Sequence, residues 1–302
     1  MPGVDAPSAP PARSRRLAMS VDVEDYFQVW AFSGVISRSS WDGFAPRVGE
    51  ATRRALDLFD RTGTKATFFA LGWIAEREPG LIREIVARGH ELASHGYDHA
   101  KVFDQSPERF RDDVARAKGI LEDATGARVI GYRAPGFSID ARTPWAHQIL
   151  GETGHLYSSS SHPIVHDHYG DPNAPRTPHQ AAGLVEAPVA TAGVFGRRIS
   201  AAGGGWFRAA PYAASRRLIA RAASQLNGPV IFYFHPWEID PKQPRITGAS
   251  VKSKLRHYLN LDAMEGKLER LLSDEALLAG ASWGRLDAAL GFTSRDERSA
   301  AA

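Results

Sequence analysis

The chain contains no cysteine. Disulfides, thiolate metal sites and cysteine nucleophiles are thereby excluded, and the redox compartment is left open. No apolar run reaches the length of a membrane-spanning helix. The N-terminal stretch is rich in Pro, Ala and Arg but has no continuous apolar segment, so no signal peptide is expected and the expected location is the cytoplasm, near the cell envelope if the substrate lies there. No basic run interleaves with aromatic residues, and the formal net charge of +3 is spread along the chain. Nucleic acid is therefore not an expected partner. What is present is a 302-residue chain, 43% hydrophobic and 24% charged. That suits a globular protein large enough to bury a core without staples.

Four segments read as strands buried on both faces, 17–23, 65–71, 129–133 and 229–235, with a shorter apolar stretch at 91–93. Each is short, apolar and without alternation, the pattern of a parallel sheet covered by helices. Helical periodicity lies between them. Ser106 is a predicted N-cap with Pro107 at the first helical position, Phe110, Val114, Ala117 and Leu121 form one stripe, and Gly126 supplies the stop. Further helices are expected over 49–60, 80–88, 212–226 and 262–273. The alternation predicts an α/β fold of βα units. Residues 158–182 read as a long functional loop. A leader (1–16), one domain (17–290) and a tail (291–302) complete the division, the two flanks expected to be disordered.

Chemically capable residues fall at the carboxyl ends of these strands, where the active residues of such folds gather. Asp22, Glu24 and Asp25 close the first strand, His95 follows 91–93, Arg133 closes 129–132 and His235 closes 230–234. His95 and His99 are spaced i, i+4, which on a helical turn aims two imidazoles at one point, as a metal needs. With a carboxylate they make the donor set of a hydrolytic metal site. Each group alone has a plain structural reading as a cap, turn or core histidine. Their combined order favours chemistry.

In this order they read Ser20-Val21-Asp22-Val23-Glu24-Asp25, Ser94-His95-Gly96-Tyr97-Asp98-His99, Arg133-Ala134-Pro135-Gly136 and Phe232-Tyr233-Phe234-His235. As a set they resemble the motifs of the nodulation-type polysaccharide deacetylases, carbohydrate esterase family 4, over about residues 17–240. Asp22–Phe27, Tyr157–Ser160, His166–Gly170, Gly203–Arg208 and Arg256–Leu261 resemble the exosortase-associated branch, tied to bacterial exopolysaccharide biosynthesis. The resemblance implies a distorted (β/α) barrel with a C-terminal helical extension over about 240–290. It implies a divalent metal, Zn2+ first and Co2+ or Mn2+ as alternatives, held by His95, His99 and one carboxylate. The sequence departs from the family's adjacent Asp pair, so Glu24 and Asp25 both remain candidate ligands. Gly96 stands where Ser or Thr is common, a change expected to matter little.

Three protein ligands leave positions open, the mark of a catalytic site. Asp22 is the candidate general base, with Arg133 orienting it. A backbone N–H near Tyr97 or Asp98, together with the metal, is expected to meet the oxyanion. His235 is the candidate acid for the leaving amine. Substrate contacts are expected from Tyr97, Pro135, Tyr169, Trp206 and Trp237, with Tyr26 in the same stacking wall, and the histidines 162, 166 and 168 form a second candidate cluster. The leading function is removal of N-acetyl groups from N-acetylhexosamine units of an exopolysaccharide or its precursor. The alternatives are an amidase for small cyclic imides and a non-catalytic carbohydrate-binding protein. The oligomeric state is not legible.

Overall fold

A computed structural model describes residues 16–166 and 170–292. Among them, the strands are β1 (Leu17–Val23), β2 (Thr67–Ala70), β3 (Glu91–Ser94), β4 (Gly131–Tyr132), β5 (Tyr157–Ser158), β6 (His179–Ala181), β7 (Leu184–Glu186), β8 (Thr191–Val194), β9 (Arg197–Ser200), β10 (Val230–Phe234) and β11 (Trp283–Gly284). The main sheet runs β10-β1-β2-β3-β4-β5-β7-β6. Its pairings are parallel except β6 with β7. Every residue of β1, β2, β3 and β10 is buried, as in a sheet covered on both faces, although β1 and β3 also bury Ser20, Asp22, Glu91 and Ser94. β11 pairs with the first two residues of β1, and β2 takes over from Ser20.

The sheet curls into a half-barrel. An irregular segment bridges its two sides: Ala187 donates to Ser158, Val189 to Ser161 and Ala190 to Ile231, all backbone to backbone. The helices are α1 (Val48–Arg61), α2 (Gly72–Arg77), α3 (Pro79–Ala87), α4 (Pro107–Thr125), α5 (Ala146–Glu152), α6 (Gly204–Ala209), α7 (Tyr212–Gln225), α8 (Val251–Tyr258), α9 (Leu261–Leu272), α10 (Glu275–Leu278) and α11 (Leu286–Leu290). The helix α4 follows its sequence signals closely. Ser106 accepts from Arg109 N, Phe110, Val114, Ala117 and Leu121 face inward, and Gly126 ends it at φ +68°.

Several expectations need correction. The strand expected over 129–133 is two residues long, because the Val129 N–H and carbonyl pair with Glu122 and Lys118 of α4 rather than with a neighbouring strand. The antiparallel hairpin β8–β9 is additional, and no clear alternation marks it in the sequence. The 158–182 loop contributes β5 and β6 at its two ends. Arg16, placed in the leader, accepts from Val230 N, and Phe292, placed in the tail, stacks on Tyr157 at 5.9 Å. Residues 1–15 and 293–302, where the rest of both flanks was expected, lie outside the described residues.

The amino-end of the half-barrel is closed by a buried carboxylate. Glu91 Oε1 accepts from Tyr157 Oη (2.7 Å), and Oε2 accepts from Thr67 Oγ1 and from Asp287 N (3.1 Å) at the start of α11. Burial, reinforced by the Asp287 carboxylate, raises the Glu91 carboxyl far above its ordinary value. A raised acid stabilises the fold fully below its unfolded pKa, and that contribution is lost as pH rises through the folded one. Urea unfolding of wild type and Glu91→Gln should therefore converge as pH rises from 5 to 8, with wild type losing up to about 1.4 kcal/mol per pH unit relative to the variant. Parallel pH profiles would contradict the assignment.

Candidate active site

The carboxyl ends of β1, β3, β4 and β10 place Asp22 and Glu24, His95, Arg133 and His235 around one point. Arg133 follows β4 and its side chain is wholly buried. Its Nη1 donates to Asp22 Oδ1 (2.6 Å) and Ser20 Oγ (2.8 Å) on β1. Nε and Nη2 donate to Ser159 O (3.0 Å) and Ser159 Oγ (2.9 Å) beyond β5. The guanidinium also stands over the Phe69 ring at 4.1 Å. This fixes Asp22, whose second oxygen lies 3.9 Å from His235 Nε2.

The Arg133 carbonyl meets His95 Nδ1 at 2.8 Å. A carbonyl only accepts, so Nδ1 carries the proton and Nε2 offers its lone pair. Burial, the largest influence, lowers His95 to about 4, leaving it neutral near pH 7. His99 lies beside it, ring centroids 5.3 Å apart. The two do not share a helical turn. The segment after β3 is a loop with Gly96 at φ +76° and His99 at φ +59°, so convergence comes from left-handed backbone rather than helical spacing. Gly96 is correspondingly not a neutral change. Its φ suits glycine, and an added Cβ would come within 2.9 Å of Asp113 Oδ2.

Glu24 completes the group. Ligand atoms of Glu24, His95 and His99 all lie within 4.8 Å of one another. Glu24 Oε1 accepts from Trp237 Nε1 (3.3 Å) and faces His235 Nε2 (3.3 Å). Oε2 is buried without a hydrogen bond, 2.9 Å from His99 Nε2. Burial opposes ionisation of Glu24, but His99, His235 and His95 outweigh it and hold the carboxyl at about 2. An ionised carboxylate, a neutral imidazole with its lone pair turned inward and a second imidazole form a donor set that fits a divalent metal such as zinc. Asp25 does not join it. Its carboxylate accepts from the backbone N–H groups of Tyr26 (2.9 Å), Arg47 (2.7 Å) and Val48 (2.9 Å), anchoring the start of α1.

His235 closes β10. Its Nδ1 meets Glu238 Oε1 at 2.9 Å. Burial penalises its charge, but Glu24, Glu238 and Asp22 outweigh that and raise it to about 9. Glu238 stands three residues after His235 in a capping box with Pro236 at the first helical position. Sequence reasoning missed Glu238, although the His-Pro-x-Glu spacing carries that signal, and it missed Ser20 and Ser159 as well.

The expected substrate contacts divide. Trp206 is 60% exposed and lines a cavity of about 300 Å³ with Ile164, Val165, His166, Arg198 and Phe207. Trp237 is buried instead, stacked between His235 (5.2 Å) and His257 (4.1 Å). Tyr26 is buried among Phe27 and Phe44, its hydroxyl on Ala45 O. The Tyr97 hydroxyl donates to Glu76 (2.7 Å) and Arg116 covers its ring at 3.5 Å. The Tyr97 N–H, expected to meet the oxyanion, is directed to Asp113 (3.2 Å). Pro135 is buried, close to the position a Gly96 Cβ would take. Of the second histidine cluster, His162 is buried against Phe137 at 5.3 Å. Tyr169 and His168 lie outside the described residues. A larger cavity, about 430 Å³, opens at the opposite end of β1 beside Arg16 and Arg285. It touches none of the candidate residues.

Residues 41–155 match the polysaccharide deacetylase family, and residues 159–289 match a domain of unknown function (DUF3473). The chain is 35% identical over 159 residues to the peptidoglycan deacetylase-like protein FGM2 of Gibberella zeae, covering 50% of this chain and 45% of that protein. It is 33% identical over 84 residues to the peptidoglycan-N-acetylglucosamine deacetylase PgdA of Listeria monocytogenes, covering 28% of this chain and 18% of that one. The matches thus span less than half the length of these relatives. A provisionally named polysaccharide deacetylase from Mycobacterium smegmatis superposes with a TM-score of 0.64 at 20% identity, covering 97% of this chain and 95% of that chain. At that identity the likeness speaks for the fold, a curled parallel α/β half-barrel. Residues 41–155 thus carry the similarity to the polysaccharide deacetylase family, and the fold is the one such proteins share.

Proposed function

We propose that this protein is a metal-dependent hydrolase that removes the N-acetyl group from N-acetylhexosamine units of a polysaccharide or oligosaccharide, a bacterial exopolysaccharide or its precursor being the favoured source. One observation carries the reading. An ionised Glu24 and two imidazoles face one another beside an arginine-held Asp22 and a histidine raised by its carboxylate neighbours. The acetamido-sugar class follows from the named activity of the Listeria relative. What supports an exopolysaccharide source is the resemblance of the branch motifs, among them Gly203–Arg208, whose Trp206 lines an accessible cavity.

Glu24, His95 and His99 would hold the metal, which would polarise the acetyl carbonyl and lower the pKa of water at the site. Asp22 Oδ2 takes the proton of water as the new C–O bond forms on the acetyl carbon. Arg133 keeps that carboxylate aimed through Oδ1. His235 gives the proton at Nε2 to the sugar nitrogen as the C–N bond breaks, so that acetate and a free amine leave. An amine is a poor leaving group without that proton, and a separate acid holds it ready while Asp22 is still free to accept one. Trp206 offers an apolar face on which a neighbouring sugar ring can stack.

With zinc or cobalt supplied, wild type should release acetate from N-acetylated oligosaccharides. His95→Ala should lose at least about 100-fold in rate and its stoichiometric metal in elemental analysis; retention of both would end the reading. His235→Ala should lower kcat about 10²–10⁴-fold with KM little changed. Trp206→Ala should raise KM for oligosaccharides about 10-fold while leaving a monosaccharide substrate nearly unaffected. Equal effects on both substrates would remove Trp206 from the binding face.

A further inference from the structure

Two residues behind His235 form a buried relay into the C-terminal extension, and neither lies where substrate would. Glu238 is wholly buried and accepts from Arg208 Nε (3.1 Å) through Oε2, while its Oε1 meets His235 Nδ1 (2.9 Å). Arg208, at the end of α6, has almost no exposed surface. Its remaining donors go to backbone carbonyls at the end of α8: Arg256 O (2.8 Å), His257 O (2.7 Å) and Leu259 O (2.6 Å). These are the carbonyls a helix terminus leaves unpaired, and a cation there also suits the helix dipole.

The clasp is reciprocal. The Arg208 carbonyl accepts from Asn260 Nδ2 (3.2 Å) and Lys267 Nζ (2.9 Å), at the start and middle of α9. A second contact runs in parallel, since His257 stacks on Trp237 and Trp237 on His235. Gly204 makes room for the pair, because a Cβ there would fall 2.0 Å from Glu238 Oε1. All these residues lie within the 159–289 stretch that carries no assigned function.

We propose that Glu238 and Arg208 are positioning residues for His235, and that the α8–α9 turn is thereby an integral part of the catalytic centre. Glu238 fixes the ring through Nδ1, so that Nε2 points at the cleft. Arg208 fixes Glu238 and draws its own rigidity from the α8 carbonyls. The inference rests on the deacetylase reading in assigning His235 the leaving-group proton.

The test compares two acetyl donors at fixed pH. An N-acetylated oligosaccharide needs a proton on its leaving nitrogen, whereas 4-nitrophenyl acetate leaves as a phenolate and does not. Glu238→Gln should lower kcat/KM on the amide about 100-fold and on the aryl ester by less than about 3-fold. Arg208→Lys, which keeps the charge but loses the planar fork, should show the same split at about 10-fold on the amide. Should Glu238→Gln fail to fold, Glu238→Asp carries the same comparison. A parallel fall on both substrates, or an unaffected amide, overturns the proposal. Independently of activity, the ¹⁵N resonance of His235 Nδ1 should move in both variants. An unmoved resonance overturns the proposal, and a moved one supports it even where wild type cleaves no amide, in which case only the deacetylase reading falls.

Discussion

A guanidinium held without contact to water governs the architecture at the carboxyl end of the sheet. Taking such a charge out of solvent costs several kcal/mol unless its donors are satisfied. Arg133 satisfies them with one carboxylate, two serine hydroxyls and a carbonyl drawn from β1 and the segment after β5, with an aromatic face beneath. Removing any one partner would leave a buried donor facing nothing, typically about 1–3 kcal/mol each. The register of β1 against β4 and β5 is therefore tied to one side chain. Because the same residue's carbonyl sets the His95 tautomer, the carboxylate and the imidazole cannot be displaced independently.

The surroundings of that residue set three ionisable groups to different states. Glu24 stays charged because imidazoles surround it, His95 stays neutral because its burial outweighs the pull of Asp22 and Glu24, and His235 is raised because carboxylates lie on both sides of its ring. Burial is the first influence on all three and does not separate them. The identity of the neighbours does. Such a division serves hydrolysis of an unreactive amide, because proton acceptor and proton donor are present together at one pH.

Much of this is legible in the chain itself. Strand burial, the α4 stripe with its caps, and the polar residues at strand ends all come from local pattern, and the structure shows them where the pattern puts them. The choice between Glu24 and Asp25 is not legible. They are adjacent, and the difference is that Asp25 faces the start of α1, a helix placed by tertiary packing. The His-x3-His spacing suggests a helix, yet it is a loop whose positive φ angles at Gly96 and His99 bring the rings together. Trp237 and Tyr26 resemble exposed sugar platforms in the sequence, but aromatic residues carry no mark of which face is covered. The roles of Glu238 and Arg208 depend on contacts across 30 and about 50 positions, beyond any periodic signal.

The placement of β1 has a consequence for how the molecule is made. This first strand takes β10 on one edge and shares the other between β2 and β11, and Ser20 Oγ bonds Phe232 O, 212 positions away. On a ribosome, Ser20 of β1 emerges 212 positions ahead of its partner Phe232 in β10, and the Leu17, Met19, Val21 and Val23 face must wait uncovered over that interval. Such late closure is slow and leaves sticky edges available to other chains. Nascent polypeptides halted before β10 should thus depend heavily on holding chaperones, and the pocket around Glu24 and His235 cannot assemble until β10 has followed.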